Sequence, residues 1–255
     1  MTGSKDAVDA GESRVTNHAS RIADHDSRVT NHESRITSHE SRVTNHESPF
    51  TIRHLGVVGY ESVWSEMRRF TGQRTAETPD EIWLLEHPPV YTYGVAGRKE
   101  HLPQTHTGIP IVHVDRGGQV TYHGPGQLVA YTLLDLRRRG LTVRALVRAL
   151  EDAVIDLLDE LGIAAYRRPD APGVYVAHGK IAALGLRIRN GCCYHGLSLN
   201  VDMDLTPFHA IDPCGYPSLQ VTRLLDLGVI EPMQAVATRL ASALMRRLAP
   251  MEEHA

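Results

Sequence analysis

A glycine-rich segment at residues 116–127 carries the residues best suited to binding chemistry. Its sequence is R-G-G-Q-V-T-Y-H-G-P-G-Q, which combines glycine and proline with an arginine, a histidine and several hydroxyl or amide side chains. Glycine lets backbone N–H groups approach a ligand without a Cβ in the way. An ordinary glycine-rich hairpin uses the same residue types, because glycine and proline mark turns in all folds. We therefore predict a loop here, with ligand binding as one of two open interpretations.

Cys214 and Lys180 are candidates for group-transfer chemistry. Cys214 lies in a loop framed by proline and glycine, whereas Cys192 and Cys193 lie in an apolar run that is typical of buried thiols. The thiolate is the reactive form of cysteine, and a nearby ammonium group lowers the thiol pKa from about 8.5. Lys180 could supply that ammonium group and, once deprotonated, act as base toward an incoming amine. An unreactive loop thiol and a solvated lysine are the alternatives.

The composition predicts a globular chain. It has 255 residues, of which 42% are hydrophobic and 22% charged, enough for one large domain or two small ones. A formal net charge of −3 gives no bulk electrostatic case for binding nucleic acid or an anionic membrane. The three cysteines form no disulfide framework. No apolar run reaches the roughly 18 residues of a membrane helix, and the first residues do not resemble a secretory signal. We therefore expect a cytoplasmic protein.

Residues 13–47 contain a seven-residue repeat, with five copies of a unit close to S-R-V-T-N-H-E. Each copy offers one apolar residue, whereas a coiled coil needs two per heptad. Serine, threonine and asparagine are also weak helix formers. We predict a disordered tail at residues 1–48, with a marginal oligomerisation helix as the alternative, and a catalytic domain at residues 49–255. The repeat histidines lie on a solvated segment, which does not favour a metal site.

Hydrophobic periodicity predicts the elements that position the candidate residues. Helical spacing occurs at residues 60–70, between Thr142 as N-cap and Gly162 as terminator, and from Pro232 onward. We predict strands at residues 82–86, 90–93, 109–115, 127–136, 173–177, 180–189 and 192–201. The last three are joined by short turns, and Asn190-Gly191 is a strong hairpin signal. Antiparallel hairpins around one central helix predict an α+β (mixed α/β) domain rather than a doubly wound parallel fold.

Six ordered motifs extend over most of the chain after Pro49. They are E-H-P-P-V-Y-T-Y-G at 86–94, the segment at 116–127, D-A-P-G-V-Y-V at 170–176, G-K-I-A-A-L-G-L-R-I-R at 179–189, Y-H-G-L-S-L-N-V at 194–201 and I-D-P-C-G-Y at 211–216. Together they resemble the lipoyl(octanoyl) transferases, the octanoyl-acyl-carrier-protein:protein N-octanoyltransferases of lipoate synthesis. The heptad tail lies outside the resemblance.

The resemblance implies a fold like that of biotin and lipoate protein ligases, with a mostly antiparallel sheet flanked by helices. It implies a two-step acyl transfer that needs no cofactor and no metal. The acyl-thioester nucleophile of the family falls on Cys214, and the lysine that lowers its pKa and acts as acid and base falls on Lys180. The substrate-binding residues fall on Arg116, Gly117, Gly118, Gln119, Val120, Thr121, Tyr122, His123, Ala183, Leu184, Gly185, Gly196, Leu197 and Ser198.

The resemblance also implies the partners of the reaction. The donor is octanoyl-acyl carrier protein, and the acceptors are lysines of the lipoyl domains of 2-oxoacid dehydrogenase E2 subunits and of the glycine cleavage H protein. We expect a monomer with no nucleic-acid or membrane partner, acting in the first step of endogenous protein lipoylation. Backbone N–H groups of the glycine-rich segment, with His123, are candidates for oxyanion stabilisation. The arginines at 137–139, or Arg187 and Arg189, are candidates for docking the acidic carrier protein.

Three alternatives remain open from the sequence. An ATP-dependent lipoate or biotin ligase could use the same fold, and its acyl-adenylate chemistry would not need Cys214. A non-catalytic module could bind a carrier protein without forming a covalent adduct. A zinc site could be built from His123, His195, His209 and the cysteines, although these residues lack a recognised ligand spacing.

Overall fold

The computed structural model describes residues 50–213 and 219–249. The predicted tail, residues 1–48, and the candidate nucleophile Cys214 lie outside these ranges. The strands in chain order are β1 (Phe50–Val57), β2 (Asp80–Glu86), β3 (Val90–Tyr93), β4 (Ile111–His113), β5 (Val120–His123), β6 (Gln127–Asp135), β7 (Tyr166–Arg167), β8 (Val174–Val176), β9 (Gly179–Arg189) and β10 (Cys192–Asn200). The α-helices are α1 (Tyr60–Gly72), α2 (Val143–Glu160) and α3 (Met233–Leu248).

A seven-stranded sheet runs through the domain in the order β1-β2-β6-β10-β9-β8-β7. Its first two strands are parallel, and every other neighbouring pair is antiparallel. Strands β4, β3 and β5 form a separate three-stranded sheet, in which β3 is parallel to β4 and antiparallel to β5. The prediction of a mixed α/β domain with a mostly antiparallel sheet is confirmed.

Helices cover both faces of the large sheet. On β2, Ile82 and Leu84 pack in the core that contains α2 and α3, whereas Trp83 and Leu85 pack in the core that contains α1. Successive side chains of a strand point to opposite faces, so a strand buried on both sides has a nearly continuous apolar sequence. This explains why β2 and β6 appear in the sequence as apolar runs without alternation.

The predicted ends of α2 are confirmed. Thr142 Oγ1 accepts a hydrogen bond from the Ala145 N–H at 3.1 Å, and Gly162 adopts a left-handed φ of 73° after the last turn. Most of the apolar stripe is fully buried, namely Leu146, Leu150, Val154, Leu157 and Leu158. The predicted Asn-Gly turn is also confirmed, because Asn190 and its glycine neighbour both have positive φ, 52° and 80°, and join β9 to β10.

Three strands were missed, and one was predicted too long. The missed strands are β1, β5 and the two-residue β7, which pairs with β8. β1 was missed because most of its side chains are half-buried, which leaves no clean alternation. β5 lies inside the segment predicted as a loop, so that prediction was wrong for residues 120–123. These residues pair with β3 and bury Val120 and Tyr122. The strand predicted at 109–115 is confined to β4, which pairs with β3 over three residues.

A buried carboxylate, Asp80, gathers three arginines at the start of β2. Its side chain is fully buried and forms ion pairs with Arg74, Arg138 and Arg139. The Arg138 Nη2 atom lies 2.6 Å from Asp80 Oδ1 and is the most exposed partner, at 37%. Because Arg138 and Arg139 point to Asp80, the hypothesis that they dock a partner protein is not supported.

Arg139 also connects the ends of distant elements. Its Nη1 atom donates to the carbonyl of Leu248 in α3 at 2.9 Å, and its guanidinium lies 3.9 Å from the ring centroid of Phe50 in β1. The Asp80 cluster therefore joins β1, β2 and α3 at one edge of the domain. No helix within the described ranges has the length and apolar character needed to cross a membrane.

Candidate active site

A cleft of about 330 Å³ lies between the glycine-rich segment, strands β9 and β10, and the start of α2. It is lined by Lys180 and by all of the predicted substrate-binding residues except Tyr122. The three separate segments at 116–123, 183–185 and 196–198 are thus brought to one place, although they are far apart in the chain. Contact with substrate stays a prediction for each of them.

Tyr122 faces away from the cleft because β5 is pleated. Its ring packs against Tyr91 and Phe208, with centroid distances of 5.4 and 5.6 Å. The neighbouring Thr121 and His123 point to the other face and line the cleft. Tyr122 therefore supports the strand from behind, and its predicted contact with substrate would need a different orientation.

The exposure of the lining residues distinguishes a mouth from a closed end. Val143 is 46% exposed, and Asp170 and Pro172 are also exposed, so they mark the mouth. The buried part of the lining includes an aromatic cluster in which Tyr131 and His195, 4% and 1% exposed, meet edge to face. An elongated ligand can therefore enter past the start of α2 and end among these buried side chains.

Lys180, at the start of β9, is 4% exposed and lines the cleft. Its Nζ atom donates to the Pro172 carbonyl at 2.8 Å and lies 5.4 Å from the ring centroid of Tyr175. A Cβ on Gly173 would lie 2.9 Å from Nζ and would overlap the adjoining Cε. The alternative of a solvated strand-end lysine is therefore wrong, since the amine is held in place near the mouth.

Gly173→Ala is expected to displace the Lys180 amine. Gly173 has a φ of 139°, which an alanine rarely adopts, and the new methyl group would overlap the lysine stem. We expect acyl transfer to fall at least about tenfold and the free energy of unfolding to fall by roughly 1–3 kcal/mol. Steady-state transfer assays and urea unfolding measure the two effects.

Gly162→Ala is the matched control for this substitution. Gly162 also has a left-handed φ, 73°, but a Cβ there meets nothing within 4 Å. It should lose a similar amount of stability and keep full turnover. Equal turnover in Gly162→Ala and Gly173→Ala would contradict the positioning of Lys180 by Gly173.

Both chain segments that flank Cys214 lie beside Lys180. Pro213 and Lys180 line the same small cavity of about 20 Å³. Downstream, the Lys180 N–H donates to the Gln220 carbonyl at 2.8 Å, and the Thr222 N–H donates to the Lys180 carbonyl at 3.0 Å. Residues 214–218 themselves lie outside the described ranges.

The two other cysteines are unsuited to nucleophilic chemistry. Burial raises the pKa of the Cys193 thiol to about 12, and burial also raises the pKa of Cys192. Cys193 packs in the core beneath α2 and α3, and neither residue lines the cleft. Their thiolate forms are therefore scarce at neutral pH.

A chain of hydrogen bonds fixes the tautomer of His123. Asn200 Nδ2 donates to the Thr222 carbonyl at 2.9 Å, which leaves Asn200 Oδ1 to accept from Gln127 Nε2, also at 2.9 Å. Gln127 Oε1 therefore faces His123 Nδ1 at 2.7 Å and must accept its proton. The lone pair of His123 consequently lies on Nε2.

The fixed tautomer bears on the proposed oxyanion role of His123. Burial, with the nearby His87, holds the pKa of His123 well below its ordinary value. A neutral ring whose Nδ1 proton is donated to Gln127 has no second proton to donate from Nε2. The geometry therefore does not support His123 as an oxyanion donor.

Gln127 and Asn200 were not predicted as site residues. Both are polar residues in otherwise apolar strands, and this pattern could have indicated a buried polar role.

Arg116 shapes the glycine-rich segment from within. It is 7% exposed, and its Nη2 atom donates to Thr92 Oγ1 at 2.8 Å, to the Thr92 carbonyl at 3.0 Å and to the Gln119 carbonyl at 3.0 Å. Its Nη1 atom donates to the Gly117 carbonyl at 2.9 Å. The guanidinium thus holds the segment against β3 through three backbone carbonyls and one hydroxyl group.

Aromatic and imidazole side chains that were not predicted form the closed end. His87 Nδ1 lies 2.6 Å from the Val58 carbonyl, so it donates there, and His87 Nε2 accepts from the Tyr131 hydroxyl at 2.7 Å. Burial lowers the pKa of His87 to about 4, which keeps the ring neutral. The Tyr60 ring stacks on His123 with a centroid distance of 5.7 Å. Such long-range contacts cannot be read from local sequence.

The three histidines of the alternative zinc site do not line one common cavity. Within residues 50–213 and 219–249, no group of three or more His, Cys, Asp or Glu side chains is arranged to hold a metal ion. His123 and His195 both line the cleft, whereas His209 lines a different cavity beside residues 204–213. These three histidines therefore do not form one site in the described part.

The domain has the fold of lipoate and biotin protein ligases. A solved lipoate-protein ligase A bound with ATP matches with a TM-score of 0.66 at 17% identity, covering 77% of this chain and 84% of that chain. Biotin protein ligase from Aquifex aeolicus, in complex with biotin and ATP, matches with a TM-score of 0.52 at 15% identity, covering 80% of this chain and 72% of that chain.

The sequence comparison is more specific. The family model of the lipoyl protein ligase A/B catalytic domain matches residues 60–245. An octanoyltransferase of Azoarcus sp. (strain BH72) is 60% identical over 202 residues, which cover 79% of this chain and 89% of that protein. The chain belongs to the octanoyltransferase family within the lipoyl protein ligase A/B catalytic domains. It is accordingly an acyltransferase, and the resemblance found in the sequence is confirmed.

Proposed function

We propose that this chain transfers an octanoyl group from octanoyl-acyl carrier protein to a lysine of lipoyl domains through a thioester on Cys214. The observation that carries the proposal is the buried Lys180 amine, which lies at the cleft beside both chain segments that flank Cys214. An ammonium group so placed favours the thiolate of a neighbouring cysteine. The octanoyltransferase relatives support the identity of the acyl group.

In the first step, the Cys214 thiolate attacks the thioester carbonyl of the donor. A new carbon–sulfur bond forms, the bond to the carrier-protein sulfur breaks, and Lys180 protonates the departing thiolate. One thioester replaces another, so the step is nearly balanced and requires no ATP.

In the second step, the ε-amine of the acceptor lysine attacks the Cys214 thioester. An amide bond forms, the Cys214 thiolate departs, and Lys180 takes the proton that the amine loses. An amide is more stable than a thioester, so this step drives the reaction to completion. Lys180 ends the cycle protonated, as it began.

Elimination supports Cys214 as the nucleophile. The chain contains three cysteines, and burial raises the pKa of both Cys192 and Cys193. Cys214 is the remaining thiol, and the adjacent Pro213 lies beside Lys180. The acyl group therefore has one plausible covalent carrier by sequence and position.

The walls of the cleft suit a saturated acyl chain. Val120, Val129, Leu184 and Leu197 line it and offer apolar surface along its length. Each buried methylene contributes about 0.8 kcal/mol to binding.

The oxyanion that forms in each step needs backbone N–H donors. The Gly117 N–H already donates to the Leu186 carbonyl at 2.8 Å. We therefore assign that stabilisation to other backbone N–H groups of the glycine-rich segment.

Exposed arginines at the mouth suit an acidic donor protein. Arg144 and Arg148 lie on α2 beside Val143 and Val147, which line the cleft. Arg187 is also exposed, but it lies opposite Tyr194 and therefore beside the closed end rather than at the mouth. Opposite charges across such a surface speed association and orient the partner. We place carrier-protein docking at the mouth, rather than at residues 137–139. The proposed acceptors are the lipoyl domains of 2-oxoacid dehydrogenase E2 subunits and glycine cleavage H protein.

Intact-mass analysis after incubation with octanoyl-acyl carrier protein tests the covalent intermediate. We expect one octanoyl increment on the wild-type chain, which a lipoyl domain then removes. Cys214→Ser should acquire no increment, and the Cys192→Ser control should acquire one as the wild type does. Full transfer by Cys214→Ser would reject the thioester intermediate, and a requirement for ATP would indicate an adenylate-forming ligase.

A further inference from the structure

His195 occupies the cleft because its backbone is strained. On β10, Cys193 and Leu197 face the core with α2 and α3, and Tyr194 faces the core with α1. Regular alternation would direct His195 toward α2 and α3. Instead it has a left-handed φ of 64°, and its ring stacks on Tyr194 with a centroid distance of 5.1 Å and meets Tyr131 edge-on at 5.8 Å. Strain of this kind persists where the surrounding structure enforces it.

A carboxylate determines which nitrogen of His195 carries the proton. Its Nε2 atom lies 3.3 Å from Asp115 Oδ1, and Asp115 also accepts from the Trp64 indole N–H at 2.8 Å and from the Tyr194 hydroxyl. Burial alone would raise the pKa of Asp115, but these hydrogen bonds together lower it well below its ordinary value. The ionised carboxylate can only accept, so Nε2 donates the proton and Nδ1 keeps the lone pair.

The lone pair of His195 is unsatisfied by the protein. Nδ1 is buried and has no hydrogen-bond partner among the residues that the structure describes. An unpaired buried acceptor is costly, whereas contact with a solvent donor satisfies it. Burial lowers the pKa of His195, so the ring remains an acceptor at neutral pH. His195 lines the cleft while Nδ1 itself is buried, so this end of the cleft is a polar imidazole ring whose acceptor nitrogen has no protein partner among the described residues.

We propose that His195 is a polar stop at the closed end of the cleft and sets the length of acyl chain that the protein accepts. The proposal deepens the proposed function and rests on it for the nature of the chain. A chain that ends short of Nδ1 contacts only apolar wall residues such as Val129. A longer chain must press methylene groups against the imidazole ring, which lines the cleft. Selectivity then arises from both the shape and the polarity of one side chain.

His195→Gly tests the stop directly, because glycine retains the left-handed backbone and removes the imidazole. Isothermal titration calorimetry with free octanoate and decanoate on the full chain measures length preference without a donor protein. We expect the ratio of decanoate to octanoate affinity to rise at least about tenfold, since two more methylenes become buried without penalty. His195→Asn, which also tolerates the left-handed region and keeps an acceptor, should give a smaller rise.

Asn190→Gly is the matched control. Asn190 is the other non-glycine residue with positive φ in the described ranges, lies on the same hairpin and does not line the cleft. Its affinity ratio should equal that of the wild type. An unchanged ratio in His195→Gly, or in His195→Asn if the glycine variant does not fold, would overturn the polar stop even with Cys214 acylated. A shifted ratio with no acylation of Cys214 would uphold the stop and reject the thioester mechanism.

Discussion

Lys180→Met is expected to reduce acyl transfer by about a thousandfold while leaving the domain folded. Methionine keeps an unbranched stem against Gly173 and removes the amine that donates to the Pro172 carbonyl. Without the ammonium group, the Cys214 thiolate loses its stabilising charge, and the second step loses its base. Proton transfer by a positioned side chain typically contributes between a hundredfold and ten-thousandfold. Single-turnover transfer from octanoyl-acyl carrier protein to a lipoyl domain measures the loss.

The pH dependence of thiol alkylation separates this role from a structural one. Alkylation of Cys214 should require a higher pH in Lys180→Met than in the wild type, because the thiol pKa rises when the neighbouring cation is removed. Cys193 contributes little to the signal, since burial raises its pKa to about 12. Lys99→Met, at an exposed position in a short 3-10 helix, is the control and should match the wild type. Retention of more than about a third of wild-type transfer in Lys180→Met would contradict the assignment.

Asp80→Asn is expected to lower the free energy of unfolding by about 3–5 kcal/mol. The side chain of Asp80 is fully buried, and its charge faces Arg74, Arg138 and Arg139 at once. Removing one partner of a buried ionic cluster leaves the remaining charges uncompensated in a poorly solvated place. Urea unfolding followed by circular dichroism gives the change, provided that the slope with denaturant is unaltered.

Asp226→Asn is the control for this cluster. Asp226 pairs with Arg223 at 3.0 Å, but the two side chains are 41% and 26% exposed. Exposed pairs contribute between zero and about 1 kcal/mol because water and salt screen them. A loss below 1 kcal/mol in Asp80→Asn, similar to that of Asp226→Asn, would show that the arginines are solvated well enough without the carboxylate.

The correctly predicted elements are those that depend on residues close together in the sequence. The apolar stripe of α2, its Thr142 cap and the Asn190-Gly191 turn each depend on residues within a few positions of one another. Edge strand β1 depends instead on pairing with β2, and β5 on pairing with β3. Neither partner is visible in the sequence of the strand itself, so both were missed.

In the candidate site, too, the residues within sequence motifs were predicted, whereas those placed by contacts distant in the chain were not. The motifs led to the glycine-rich segment, Lys180 and the residues of β9 and β10, which the fold brings to one cleft. The relay behind His123 could not be predicted, because Gln127 and Asn200 are 73 positions apart. The orientation of His195 also could not be predicted, since it depends on a backbone conformation that opposes the strand pattern. The pairing of Arg138 and Arg139 with Asp80 could not be predicted either, because these arginines are 58 and 59 positions away from Asp80.

Thr222 joins the lysine of the cleft to the histidine relay through its peptide groups alone. Its N–H donates to the Lys180 carbonyl, and its carbonyl accepts from Asn200. Substitution of the Thr222 side chain therefore leaves both of these hydrogen bonds in place. Proline is the exception, because it has no N–H to donate. Sequence variation at position 222 would therefore conceal the role of this backbone link. A substitution that removes the N–H group would reveal it.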